Sequence, residues 1–177
     1  MPEETAGPRL PILIRNHDPD DKVSRDCYSR YCSELAARFG IPLSDDWVTS
    51  VDSDEFRAPN GRLVIAWVNK QPVGCGAVRI TGDIAEIKRM WVDHSFRGRG
   101  IGRSILIHLE NVARQCGCTR VRLDTNLTLH EARKLYQSAG YRTIPAYNDN
   151  RYAKEWYEKS LVAGSSCNLE NPSLEET

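Results

Sequence analysis

The sequence predicts an α/β (α+β) domain in which about seven strands and about four helices share one core. Three observations carry that prediction. Residues 63 to 92 read as three consecutive strands joined by tight turns, an antiparallel meander. A glycine- and arginine-rich run, Arg97 to Ser104, follows at once and opens a helix. From there to residue 161 helical and strand periodicities alternate. A chain of 177 residues buries one good core and is too short for two ordinary domains. The domain is placed at residues 9–161, with a disordered tail at 1–8 and a flexible one at 162–177.

The elements follow in order. Arg9 to Arg15 reads as a strand, ended by the turn Asn16-His17-Asp18-Pro19. Val23, Cys27, Tyr28, Tyr31, Leu35 and Phe39 recur at helical spacing, and Gly40 with Pro42 stops that helix. A short helix is expected around Asp45 to Val51, before the Pro59-Asn60-Gly61 turn. The meander strands are Leu63 to Val68, Val73 to Ile80 and Ile84 to Val92. Ile101, Ile105, Leu106, Leu109, Val112 and Ala113 form the apolar stripe of a helix ending near Gly117. A strand at Arg120 to Asp124 precedes a helix opened by Thr128 and Glu131 at capping-box spacing and closed by Gly140. Tyr141 to Ile144 and Tyr152 to Leu161 read as the last two strands.

Composition narrows the function classes. The 24 basic residues cancel the 24 acidic ones, which argues against a nucleic-acid partner, since such partners demand a basic excess. No apolar run approaches the roughly 20 residues that cross a bilayer, and the Met1-Pro2-Glu3-Glu4 start lacks the pattern of a secretory signal, so the expected location is cytoplasmic, with no membrane partner. Cys27, Cys32, Cys75, Cys116, Cys118 and Cys167 lack the paired spacing of a zinc site; they are expected to be reduced core thiols, with no metal bound.

The run Arg97-Gly98-Arg99-Gly100-Ile101-Gly102-Arg103 is an anion site by its physics. Glycines let a ligand approach the backbone, and the helix start adds unpaired N–H donors and the positive end of its dipole. Two familiar phosphate loops fail on spacing. A Walker loop needs glycine at Arg97 and lysine at Arg103, and a dinucleotide fingerprint needs its third glycine one residue later, although Asp124 stands where a ribose-binding acid would sit.

A third pattern fits. Arg97-x-x-Gly100-x-Gly102, preceded by Met90-Trp91-Val92 and followed by Leu135-Tyr136-x-x-x-Gly140-Tyr141, resembles the GNAT superfamily of acyl-CoA-dependent N-acetyltransferases, across roughly residues 63 to 161. The resemblance implies a mixed, mostly antiparallel central sheet flanked by helices, and acetyl-CoA as co-substrate. Its pyrophosphate would lie on the N–H groups of Arg99 to Arg103, with Arg97 and Gly98 completing the loop, and its pantetheine would pair with the backbone of Met90, Trp91 and Val92. Many family members carry an asparagine where this chain has Leu129; Asn126 is the nearby candidate for that pantetheine contact.

Acyl transfer from a thioester to an amine needs a neutral amine, a polarised carbonyl and a proton for the departing thiolate. Glu86, on the strand leading into the loop, matches the family's usual catalytic glutamate and is expected to be the base; the alternative is a structural ion pair with Lys88. Strand alternation places Glu86, Lys88 and Met90 on one face and Ile87, Arg89 and Trp91 on the other. Tyr136 matches the tyrosine that protonates the thiolate in the family, and a backbone N–H near Met90 or Trp91 would polarise the carbonyl.

The acceptor is expected to be a small-molecule primary amine, held by Tyr28, Tyr31 and Tyr147. A protein lysine or N-terminus, and a non-catalytic acyl-CoA sensor, are the competing readings. Homodimers are common in the family, but no residue here predicts an interface.

Overall fold

The computed structural model describes residues 11–43 and 53–161. Its elements in chain order are β1 (Leu13–His17), α1 (Lys22–Phe39), β2 (Gly61–Val68), β3 (Gln71–Thr81), β4 (Ile84–Val92), α2 (Ile101–Gln115), β5 (Arg120–Thr125), α3 (His130–Ser138), β6 (Arg142–Ile144) and β7 (Glu155–Ser160). The seven strands form one sheet in the order β1-β2-β3-β4-β5-β7-β6. Every pairing is antiparallel except β4 with β5. The mixed, mostly antiparallel sheet is thus the expected one. The helix expected at 45–51 and both expected tails lie outside the described residues, as does Cys167.

Local chemistry explains most boundaries. The Asp21 carboxylate accepts from Ser24 N at 2.7 Å to cap α1, and Gly40 ends that helix in the left-handed region at φ 64°. Asn69 and Lys70, both at positive φ, make the tight turn between β2 and β3. At α3 the expected capping box does not form. Thr128 turns back to Asn126, whose Oδ1 accepts from both its N and its Oγ1, each at 3.0 Å, and Glu131 is drawn to Arg38 and Arg97 instead.

The sheet is covered on two faces. Ile105, Leu106, Leu109 and Ala113 of α2 pack with Val64, Val78, Ile87 and Val121 in the larger cluster. Cys27 of α1 packs with Phe56, Ile65, Cys75, Ala77 and Trp91 in the smaller one. Four of the described cysteines are buried thiols; Cys116 is exposed, because it stands at the solvent end of α2.

A bulge in β4 breaks the alternation expected from sequence. Cys75 is opposite Trp91 and Ala77 is opposite Lys88, so Arg89 and Met90 together face Gly76. Arg89 takes the left-handed conformation, φ 58°. The extra residue moves Arg89 and Trp91 to the α1 face with Glu86 and Lys88, while Met90 joins Ile87 on the α2 face. Gly76 makes the bulge packable. A Cβ there would stand 2.6 Å from Ile105 Cγ2, 2.9 Å from Leu109 Cδ1 and 3.0 Å from Met90 Sδ. Gly76→Ala is accordingly expected to cost ~1–3 kcal/mol by overpacking, read as a lowered urea midpoint with unchanged slope.

Candidate active site

Strands β4 and β5 pair only at Ile84 with Arg120, Ala85 with Val121 and Glu86 with Arg122. Beyond Glu86 they part, and among the described residues the rest of β4 has no strand on that side. The opening leads to two adjoining cavities, of about 460 and 290 Å³, whose walls share Tyr31, Leu35, Met90, Leu129, Ala132 and Tyr136. The smaller is the arm toward the glycine loop. The larger runs under α1 toward the β5 end.

The loop arm is built for an anion. Gly98 and Gly100 hold φ of 76° and 80°, a conformation that would strain any residue with a Cβ, and open space surrounds both. No side chain caps α2 at Gly100. The N–H groups of Ile101, Gly102 and Arg103 therefore have neither an intrahelical acceptor nor a cap, and they carry the positive end of the helix dipole. The three arginine side chains do other work. Arg97 Nη2 reaches both Glu34 oxygens, at 2.6 and 2.7 Å, and its Nε donates to Val92 O at 2.9 Å. Arg103 donates to Ser138 Oγ, and Arg99 lies over the Phe96 ring. The loop offers its backbone to a ligand.

Glu34 was not singled out from the sequence. It accepts from Arg97 and from the Trp91 indole at 2.8 Å, and pairs with Arg38 at 3.1 Å, so it ties α1 to β4 and to the loop. Burial alone would raise its pKa, but the Arg97 and Trp91 hydrogen bonds prevail and hold it below the usual carboxylate range. Its Trp91 and Arg97 partners lie some 60 positions away in sequence, so the sequence alone shows only a helical polar residue with an i,i+4 arginine.

Tyr136 is 4% exposed and lines both arms. Its ring packs against those of Tyr141 and Tyr157. Burial pushes its pKa up, helped by the nearby Asp124 charge, so the phenol stays protonated throughout the neutral range.

Glu86 shows the ion-pair arrangement. Its Oε1 lies 2.9 Å from Lys88 Nζ, its Oε2 accepts from Arg79, and Tyr147 donates to Oε1 at 3.3 Å. Burial opposes ionisation, but the Lys88 and Arg79 charges prevail and the pKa is lowered. The carboxylate stands behind Lys88 and Arg79, which line the larger arm while Glu86 does not. Glu86→Gln is expected to lose ~1–3 kcal/mol at neutral pH. A carboxylate whose folded pKa is depressed stabilises above its unfolded value, near 4.5 here, and that contribution vanishes as pH falls through the folded pKa. The stability gap between variant and wild type should therefore close on acidification below that value, as followed by denaturant titration at stepped pH.

The larger arm is lined by Tyr28, Tyr31, Phe56, Arg79, Lys88, Arg89 and Asp124, among others. Tyr28 and Tyr31, two of the three tyrosines expected at an acceptor, both line this larger cavity. Tyr147 does not, because its hydroxyl is turned to Glu86 and its ring lies beneath Arg122. Asn126 lines this arm but not the loop arm, and its amide is occupied, with Nδ2 donating to Tyr152 O at 2.6 Å. Its side chain braces the loop before α3. From sequence Asp124 stands only where a ribose-binding acid would sit, and strand alternation puts Arg89 on the opposite face; a strand-end carboxylate and a bulge arginine carry no local signature.

Comparison with known proteins agrees with this architecture. The profile described as acetyltransferase (GNAT) family matches residues 25–141. The chain is 33% identical over 93 residues to IAA acetyltransferase of Azospirillum brasilense, covering 51% of this chain and 61% of that one. It is 29% identical over 135 residues to streptothricin acetyltransferase of Escherichia coli, covering 70% and 75%. Among solved structures, the PaiA N-acetyltransferase of Thermoplasma acidophilum, in complex with coenzyme A, superposes with a TM-score of 0.67 at 17% identity, covering 86% of this chain and all of that one, and shares its fold. From the profile match across α1 to Tyr141, the chain belongs to the acetyltransferase (GNAT) family.

Proposed function

We propose that this protein moves an acetyl group from acetyl-CoA to the primary amine of a small molecule. The observation that carries the reading is Tyr136, a buried phenol kept protonated at the wall shared by the two arms, one suited to a pyrophosphate and the other to an acceptor. Acetyl-CoA supplies an activated thioester carbonyl when bound.

The residues divide the remaining work. The Ile101 to Arg103 N–H groups hold the pyrophosphate, with Gly98 and Gly100 letting it approach, and the free edge of β4 at Met90, Trp91 and Val92 aligns the pantetheine. A backbone N–H of that edge polarises the carbonyl. The acceptor nitrogen forms the new N–C bond as the C–S bond breaks; Tyr136 gives its proton to the departing sulfur, and a carboxylate takes the proton leaving nitrogen. For that carboxylate the geometry favours Asp124. It lines the acceptor arm, its partners are the neutral amides of Asn148 at 2.6 Å and Asn150 at 3.2 Å, and no cation pairs with it among the described residues. Glu86, matched by resemblance to the catalytic glutamate, is then a positioning residue that fixes Lys88 and Arg79.

The test is thiol release from acetyl-CoA against a panel of amines, with mass spectrometry of the product. Asp124→Asn is expected to lower kcat by ~10²-fold, whereas Glu86→Gln keeps kcat within a few-fold of wild type. A ~10²-fold loss of kcat in Glu86→Gln with little change in Asp124→Asn would return the base to Glu86. Tight coenzyme binding with no thiol release for any amine would overturn the reading.

A further inference from the structure

The larger arm contains four charged groups besides Asp124, and three of them are already neutralised. Arg79 pairs with Glu55 at 2.8 Å and with Glu86, and Lys88 pairs with Glu86. Arg89 differs. Among the described residues its guanidinium has no carboxylate partner and no hydrogen bond; it lies 4.2 Å from the Tyr28 ring centre and 4.3 Å from that of Phe56. Its backbone is held at φ 58°, a left-handed conformation that is strained for a non-glycine residue, by the bulge that turns it toward this arm. A cation set among aromatic rings, short of hydrogen-bond acceptors and held there against backbone strain is poised to bind an anion.

Asp124 is its complement, a carboxylate on the same wall with only amide partners. One cavity of about 460 Å³ thus carries one uncompensated positive group and one uncompensated negative group. From this pairing we infer that the acceptor is a small amino-carboxylate, its amine directed to Asp124 beside Tyr136 and its carboxylate held by the Arg89 guanidinium. The aromatic walls of Tyr28, Tyr31 and Phe56 flank the carbon frame between them. The inference rests on the N-acetyltransferase reading for its chemistry but not for its binding test.

The experiment measures binding to the coenzyme A-saturated protein by calorimetry, using free α-, β- and γ-amino acids paired with their decarboxylated amines and their amides. Each carboxylate-bearing compound that fits should bind at least ~10-fold more tightly than its uncharged counterparts, the usual value of a charge-assisted fork. Arg89→Met should narrow that ratio to about one, and Arg89→Lys, which keeps the charge and loses the fork, should leave it between the two. Equal binding of acids, amides and amines by the wild-type protein, or no binding of any, would overturn the inference, and this needs no variant to fold. Thiol release run in parallel separates the two readings: release with amines but without carboxylate preference leaves the acetyltransferase standing and removes the amino-carboxylate, whereas carboxylate-dependent binding without release does the reverse.

Discussion

Tyr136→Phe lowers kcat by ~10²-fold or more while leaving the dissociation constant for acetyl-CoA within about threefold of wild type. The change removes one oxygen and no ring. Tyr136 packs through its aromatic face against Tyr141 and Tyr157, and those contacts survive in phenylalanine. What disappears is the proton for a thiolate that would otherwise leave as a poorly stabilised anion. Because burial raises the Tyr136 pKa, the wild-type enzyme should show no alkaline loss of kcat from this group below pH ~10, the ordinary value for a phenol. Steady-state kinetics with calorimetric coenzyme binding checks both parts. Unchanged turnover would assign Tyr136 to the core alone.

Gly102→Glu abolishes coenzyme binding, by at least ~100-fold in dissociation constant, without lowering the melting temperature. Gly102 lies in the first turn of α2, where a carboxylate meets the positive end of the dipole and is itself stabilised. A Cβ there meets only Leu135 Cδ2 at 3.4 Å and Val92 Cγ2 at 3.7 Å, so the fold accepts a side chain. On the proposed reading, the new carboxylate competes for the N–H groups that hold the pyrophosphate and repels its charge. Gly102→Ala, which fills little space and adds no charge, should stay within a few-fold of wild type. A matching loss in both variants would show that room, rather than anion capture, is what the glycine provides.

Much of this site was legible before any coordinates. The glycine loop works through φ angles and helix-terminal N–H groups, properties written into a few consecutive residues. The meander, the stop at Gly40 and the phenol of Tyr136 at its helical position are local in the same sense. The capping box at Thr128 shows the limit, because a correct spacing lost to Asn126, a competing acceptor two residues away. Pairings across the fold were less accessible still. Glu34 with Arg97, and Tyr147 with Glu86, join segments some 60 residues apart.

The sequence by itself determined the order of elements, the glycine loop at the start of α2 and the family. Each depends on short-range periodicity or on residues that must be adjacent. Only the tertiary structure decided which side chains face the larger cavity. One extra residue in β4 shifts Arg89 to the α1 face, and a single-residue slip reverses every later side chain of a strand. The divergence of β4 from β5 then sets Arg89 and Asp124 in one cavity while Lys88 and Arg79 neutralise Glu86 behind it. Charge compensation is a property of three-dimensional neighbours, so the pair left uncompensated emerges only once the chain has folded.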